Sequence, residues 1–220
     1  SSTSRGLGDV YKRQPKMFSG IVEAKGKISL IKEFDDYLSI EISAPNGFNK
    51  NLKKGASVSV NGVCLTSKNN GSKALKFDVI EETINRTNLK QILKGDVVNL
   101  ERSIKASSEI GGHLMSGHIH YTAKVSQIID KNNTKDMKIS LPKKYLDYVM
   151  EKGYIGINGC SLTVGKVHKN SFSIHLIPET LKITNLDELS KNDLVNVEID
   201  QSTIAIVDTV KKTLATQKSR

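Results

Sequence analysis

At 220 residues the chain is about twice the size of a small domain, so two cores of one fold can be buried along it. Aromatics make up 5% and Trp is absent, so those cores rest on Ile, Val and Leu; no apolar run approaches the ~20 residues of a membrane span. The net charge of +10 says little about a polyanionic partner: residues 1–16 supply +3 and residues 211–220 another +4, which leaves +3 with acids and bases mixed and no basic stripe with stacking aromatics of the kind nucleic-acid binding needs.

Residues 1–16 mix Ser, Gly, Arg and Lys without a period and read as a non-native leader, excluded from the fold. No hydrophobic signal core precedes Met17, which leads us to expect a cytoplasmic protein. From Phe18 the text is strand-like at Ile21-Val22, 27–31 and 37–42. Residues 45–54 suggest a short helical turn with Phe48 and Leu52 on one face; strands are expected at 56–60, 64–68 and 74–80, the last two joined by an Asn69-Asn70-Gly71 hairpin, and at 97–101. Residues 138–141, 154–157, 161–167, 171–177 and 194–199 are the strands of the second half. Pro142 suits the first position of a helix with Leu146, Val149 and Met150 on its apolar face and Gly153 at its C-cap. Ile204, Val207, Val210 and Leu214 recur at helical spacing in a segment that the first half lacks, which suggests a helix packing on its copies in other subunits, with docking on its own domain as the alternative.

The halves repeat. Asn61-Gly62-Val63-Cys64-Leu65-Thr66 returns 97 residues later as Asn158-Gly159-Cys160-Ser161-Leu162-Thr163, and the same offset links Ser19-Gly20 to Ser116-Gly117, Glu82-Thr83 to Glu179-Thr180, Asn88-Leu89 to Asn185-Leu186 and Val98-Asn99 to Val195-Asn196. A constant shift over five blocks is a tandem duplication, with a period far longer than the ~20–50 residues of solenoid repeats. Gly55 to Asn61 is six steps where Gly153 to Asn158 is five, from which a one-residue bulge in one copy is expected. Short strands broken by Gly, Asn and Asp make the class all-β, sandwich or barrel. Cys64 corresponds to Ser161 and Cys160 to Val63, so the cysteines read as thiols and not as a disulfide framework or zinc ligands.

Met17-Phe18-Ser19-Gly20-Ile21-Val22, the Asn61 to Thr66 block, Glu109-Ile110-Gly111-Gly112-His113-Leu114-Met115-Ser116-Gly117-His118 and Ile177-Pro178-Glu179-Thr180-Leu181, in that order, closely resemble the riboflavin synthase family of α-chain type, from Met17 to about Leu214. The resemblance implies two tandem Greek-key six-stranded β-barrels with short helices (residues 17–112 and 113–202, each lumazine-binding) and a C-terminal oligomerisation helix and tail at 203–220. It also implies a homotrimer, the dismutation of two 6,7-dimethyl-8-ribityllumazine molecules between barrels of adjacent subunits, no metal or organic cofactor, and lumazine synthase as a further partner.

The resemblance also points to residues. In the first copy it implies a substrate pocket lined by Gly20, Ile21 and Val22, by Cys64, Leu65 and Thr66, and by Asp78, Val79, Ile80, Glu81, Glu82 and Thr83. In the second copy the set is Gly117, His118 and Ile119, then Ser161, Leu162 and Thr163, then His175, Leu176, Ile177, Pro178, Glu179 and Thr180. Strand-end backbone would pair with the pyrimidine edge, and Thr and Glu side chains would take the ribityl hydroxyls. Thr66 and Thr163 as plain strand residues, and Gly20 and Gly117 as bulge glycines, are the structural alternatives. Cys64 and Ser161, at equivalent positions, would add and remove a nucleophile or proton at ring carbons; the alternative for Cys64 is a small buried hydrophobe. His118 follows Ser116-Gly117 and offers imidazole as the base for an acidic ring methyl, the alternative being a hydrogen-bonded structural histidine, whereas His113 is expected to bond backbone in the linker. Ser57, Lys152 and Asp200 are assigned to catalysis, and Lys152 also to substrate binding, by resemblance; a strand residue, a helix C-terminal cation and an N-cap are their alternatives.

Overall fold

The computed structural model describes residues 17–68, 74–105 and 107–218, so residues 1–16 and Asn69-Asn70-Gly71 lie outside the described residues. The first half supplies β1 (Ala24–Glu33), β2 (Tyr37–Ser43), β3 (Ser57–Val60), β4 (Val63–Thr66), β5 (Ala74–Ile80) and β6 (Val97–Arg102). These pair in the order β4-β3-β6-β1-β2-β5, and the Lys68 N–H donates to the Lys76 carbonyl at 2.8 Å where the ends of the ring meet. The second half repeats the plan with β7 (Tyr121–Asp130), β8 (Lys135–Ser140), β9 (Tyr154–Ile157), β10 (Cys160–His168), β11 (Ser171–Leu176) and β12 (Leu194–Ile199), closed as β10-β11-β8-β7-β12-β9. Closure removes the unpaired edges that a small open sheet would expose.

Alternation places the cores. Tyr121, Ala123 and Val125 of β7 face inward while Lys124 and Ser126 face out, the period-two signature of a sheet with one buried face. This strand was legible in the sequence but is absent from the expected set. Aliphatic side chains fill each barrel together with two aromatics, Phe48 and Phe77 in the first and Tyr121 and Phe172 in the second, and each fully buried apolar side chain is worth roughly 1.5–3 kcal/mol. Two six-residue helices, α1 (Glu81–Arg86) and α2 (Pro178–Ile183), follow β5 and β11; neither buries a residue, and both are too short for a periodic signal.

Two expectations are corrected. No residue is inserted between the copies at Gly55: the Gly55 N–H bonds the Ser67 carbonyl as the Lys152 N–H bonds that of Val164, which keeps the 97-residue offset. Gly55 (φ 86) and Lys152 (φ 65) are both left-handed, so the equivalent of Gly55 is a lysine. Pro142 caps a 3-10 turn over Lys143–Tyr148 instead of opening an α-helix, and Met150 is exposed.

The barrels join about a pseudo-two-fold axis. Phe18 and Met115 exchange N–H···O=C bonds of 2.8 and 2.9 Å and are both buried. Around the same seam the Asn99 amide donates to the Asn158 carbonyl at 2.9 Å and that of Asn196 to the Asn61 carbonyl at 2.8 Å. The Asn99 and Asn196 side-chain oxygens each accept a backbone N–H, from Asn185 and Asn88 respectively, at 2.7 Å. The repeated asparagines are therefore the polar lock between domains.

The last element, α3 (Gln201–Lys218), starts at Asp200, whose carboxylate accepts from the Thr203 N–H at 2.9 Å as an N-cap. Ile204 packs on the second core, and Tyr148 donates to Asp208 at 2.6 Å. Ile206, Val210 and Leu214 are exposed. No helix among the described residues is long and apolar enough to cross a membrane.

Candidate active site

The sequence assigns each barrel its own entry loop. The structure exchanges them. Gly117 accepts from the Cys64 N–H at 2.9 Å, and Ile119 is buried in the first core; Gly20 accepts from the Ser161 N–H at 2.8 Å, and Val22 is buried in the second. Neither glycine has room for a side chain. Gly20 (φ 73) and Gly117 (φ 77) are left-handed, and a Cβ would lie 2.6 Å from that of Ser161 and 2.5 Å from that of Cys64. Gly20, Ile21 and Val22 thus belong with Ser161, Leu162 and Thr163, while Gly117, His118 and Ile119 belong with Cys64, Leu65 and Thr66. A constant offset reveals which loops are equivalent, and is silent on which barrel each loop lands.

The first pocket, ≈ 400 Å³, gathers Cys64, Glu82, Thr83, Gly117, His118 and Ile119, together with Val63, Arg86 and Thr87. A second cavity of ≈ 710 Å³ shares Cys64 and His118 and adds His113, Leu114, Met115, Ser116, Tyr154, Asp200, Gln201 and Ser202. Cys64 and His118 form the ridge between the two. Cys64 is half-buried, whereas Cys160 is buried and its thiol is pushed up to about 12 by burial and then by the Glu101 charge. Of the two thiols Cys64 is therefore the one available for chemistry.

At the equivalent position of the second barrel the counterpart hydroxyl is engaged. His113 Nδ1 lies 2.7 Å from Ser161 Oγ, and its buried ring stacks on Tyr154 at 5.3 Å; the other ring nitrogen has no partner. The expectation that His113 bonds backbone is corrected: it bonds Ser161. Burial lowers the pKa of His113, against the opposing charge of Asp200, so the neutral imidazole is favoured. Gly112 lies against the same serine, where a Cβ would come 2.6 Å from Ser161 Cβ and 2.3 Å from the Ser19 carbonyl oxygen.

The remaining assigned residues divide. Val79 and Leu176 are core, as are Leu65 and Leu162. Thr66, Thr163, Ile80, Glu81, Glu82, Ile177, Pro178 and Glu179 are exposed and Thr83 and Thr180 half-buried; of these Glu82 and Thr83 line the first pocket. Asp78 pairs with Lys68 at 2.7 Å and His175 with Asp136 at 2.7 Å, on the outer surface. Asp200 caps α3 at the mouth of the larger cavity; burial pushes its carboxyl up, but the hydrogen bonds from Ser202 and Thr203 outweigh this and hold it low. Lys152 is exposed on the turn into β9. Ser57 is buried with its hydroxyl unpartnered, facing a separate ≈ 970 Å³ groove with Glu101, Arg102 and Lys105. Ser57 and Lys152 are not brought to Cys64. Among the described residues no cluster of three His, Cys, Asp or Glu side chains is arranged to hold a metal ion.

Sequence reasoning missed two buried carboxylates. Glu101 accepts from the Ser19 N–H (2.6 Å) and hydroxyl (2.8 Å) and the Gly20 N–H (3.1 Å); Glu198 accepts from the Ser116 N–H (2.7 Å) and hydroxyl (2.8 Å) and the Gly117 N–H (3.1 Å). Burial raises both, Glu101 to about 7, against the lowering by these bonds. The signal was in the sequence, since Glu101 and Glu198 stand 97 apart, two residues after the repeated Asn99 and Asn196.

Known proteins share this doubled fold. The lumazine binding domain model matches residues 19–103 and again 116–200. Riboflavin synthase of Escherichia coli strain K12 is 43% identical over 204 residues, covering 92% of this chain and 96% of that protein; that of Chlamydia pneumoniae is 42% identical over 199 residues, covering 90% and 98%. Crystal structures of LumP superpose with TM-scores of 0.77 (complexed with riboflavin, 31% identity) and 0.76 (complexed with 6,7-dimethyl-8-(1'-D-ribityl) lumazine, 28% identity), each covering 84% of this chain and 100% and 99% of theirs. Two matched domains and relatives aligned nearly end to end lead to one conclusion: the chain belongs to the riboflavin synthase family of doubled lumazine-binding domains.

Proposed function

We propose that the chain dismutates two molecules of 6,7-dimethyl-8-ribityllumazine, one donating a four-carbon unit to the other to give riboflavin and 5-amino-6-ribitylamino-pyrimidinedione. The two products contain the atoms of the two substrates, so the reaction needs no external oxidant or reductant. The observation that carries this reading is the pair of quasi-equivalent strand ends, at Cys64 and at Ser161, each receiving a glycine loop from the other half. Identical substrates call for similar pockets, and rings held face to face in a near-attack pose gain the large advantage of an intramolecular reaction.

The rims supply polar groups for the ligand: Thr66, Glu82 and Thr83 at one pocket, Thr163, Glu179 and Thr180 at the other, with strand-end backbone for the pyrimidine edge. His118, exposed beside Cys64, takes a proton from the ring methyl of bound lumazine. Cys64 and Ser161 act at the ring carbons, Ser161 with its hydroxyl oriented by His113. Asp200, at the mouth of the larger cavity, holds a charge toward His113. Lys152 and Ser57 stand away from this group and act from the subunit boundary.

That boundary is where the substrates meet. Ile80 and Ile177 are 57% and 59% exposed beside the two pockets, and Ile206, Val210 and Leu214 leave an apolar stripe on α3. Cover by a neighbouring subunit, the N-terminal barrel of one facing the C-terminal barrel of the next in a homotrimer, buries these groups and brings two ligands together. Lumazine synthase, the source of the substrate, is a further partner, and the cytoplasm is the compartment.

Incubating the purified protein with ribityllumazine and following riboflavin absorbance tests the reading. Conversion supports it; lumazine bound and unconverted identifies a chromophore-binding protein instead.

A further inference from the structure

We infer that Glu198 and Glu101 are positioning residues for the pocket of the opposite barrel: Glu198 on β12 sets the geometry at Cys64, and Glu101 on β6 sets that at Ser161. The inference deepens the reading of these pockets as lumazine sites and rests on it.

The connection can be followed bond by bond. Three donors of Ser116 and Gly117 converge on the Glu198 carboxylate, within 2.7 to 3.1 Å. Those bonds fix the two peptides that lead into Gly117, whose carbonyl receives the Cys64 N–H at 2.9 Å. The next residue is His118, whose N–H is held by the Ser116 hydroxyl at 3.3 Å. The carboxylate therefore sets, through one loop, both the thiol strand and the imidazole. Glu101 repeats the arrangement through Ser19 and Gly20 to Ser161. Both glutamates are almost fully buried, at 3% and 1% exposure, and a buried acceptor serving three donors is costly to replace because a lost partner leaves a donor unsatisfied. Glutamine keeps the shape but turns one oxygen into an NH2 group facing a donor.

This makes a crossed expectation that a purely structural role does not. In full-length protein carrying Cys160→Ala, Cys64 is the only thiol, and its alkylation by iodoacetamide with and without riboflavin reports the first pocket. Riboflavin protects Cys64 in this parent. Adding Glu198→Gln weakens that protection by about tenfold in riboflavin concentration, while Glu101→Gln leaves it within about twofold. With the reporter moved, as Cys64→Ser with Ser161→Cys, the effects of the two glutamines exchange. Ser116→Ala, which removes one hydroxyl and leaves the carboxylate buried, repeats the Glu198 effect at about threefold and stands in should Glu198→Gln not fold. Equal effects of both glutamines on both reporters, or none on either, overturn the inference while leaving the pockets as binding sites. Failure of riboflavin to protect Cys64 in the parent overturns the pocket reading and the inference with it.

Discussion

The Cys64 and Ser161 sites share a backbone frame and differ in what lies on it. Beside Cys64 stand an exposed imidazole, His118, and two cavities that both residues line. Over Ser161 lie Gly112 and a buried imidazole, His113, bonded to the hydroxyl itself. A duplicated fold thus yields one open site with a thiol and one site whose hydroxyl is already oriented. For a reaction that makes donor and acceptor of identical molecules, the asymmetry must come from the protein, and it arises because one linker runs across only one of the pockets.

The largest effect is expected where the symmetry is tightest. Gly117→Ala forces a Cβ to within 2.5 Å of Cys64 Cβ and 2.9 Å of its backbone nitrogen at a left-handed residue. Gly20→Ala meets Ser161 similarly, but there one neighbour is the Met115 sulfur, at 2.7 Å, on a side chain able to turn away. Both lose roughly 3 kcal/mol or more in thermal or denaturant unfolding, Gly117→Ala the more. Equal losses would mean that the two loops seat alike.

The asparagine lock is nearly symmetric, and its departure from symmetry predicts an ordering. Asn196 accepts from Asn88 and donates to both the Asn61 carbonyl and the Asn88 side chain, whereas Asn99 makes the first two of these bonds with Asn185 and Asn158, and the Asn185 side-chain oxygen has no partner. Asn196→Ala should cost about 3 kcal/mol and Asn99→Ala about 2 kcal/mol. Denaturant midpoints in the reverse order would show that the seam is not organised by these bonds.

The buried glutamates predict a pH dependence. A carboxyl raised by folding binds its proton more tightly in the native state, so its contribution is fully present below about pH 4.5 and is lost as the pH rises through about 7. For Glu101 the loss between about pH 5 and pH 8 is on the order of 2 kcal/mol, with Glu198 adding in the same direction. Glu101→Gln should flatten the fall in melting temperature over this range; an unchanged slope would show that the group does not titrate there.

Much of this was legible in the sequence and some was not, for physical reasons. The duplication, the all-β class and the Cys64–Ser161 equivalence follow from a constant offset and period-two alternation, while the choice of barrel over sandwich came from the family resemblance. The exchange of entry loops does not, because the Phe18–Met115 bridge that sends each loop across pairs residues 97 apart, and an offset says nothing about contact. The asparagines at 61, 99, 158 and 196 read as turn and strand-end residues since their partners lie on the other domain. The roles of His113, Glu101 and Glu198 depend on burial and on donors far away in the chain, which no local window contains.

The smallest effect is expected at Lys152, where the copies differ by one residue in the same conformation. Gly55 adopts its φ of 86° without a Cβ, while Lys152 at 65° carries the steric cost of a left-handed residue, about 1 kcal/mol. Lys152→Gly relieves this strain but gives flexibility to the unfolded chain, so the net gain is at most about 0.5 kcal/mol; Gly55→Lys should lose a similar amount or more. Stability and activity then separate the two accounts of the lysine. If its ammonium serves substrate at the subunit boundary, Lys152→Gly lowers kcat or raises KM while the melting temperature holds or rises. An enzyme that gains stability and keeps full turnover would reduce Lys152 to a turn residue that happens not to be glycine. A strained non-glycine residue kept where its twin is glycine is better explained by use than by folding, and this pair of measurements decides between them.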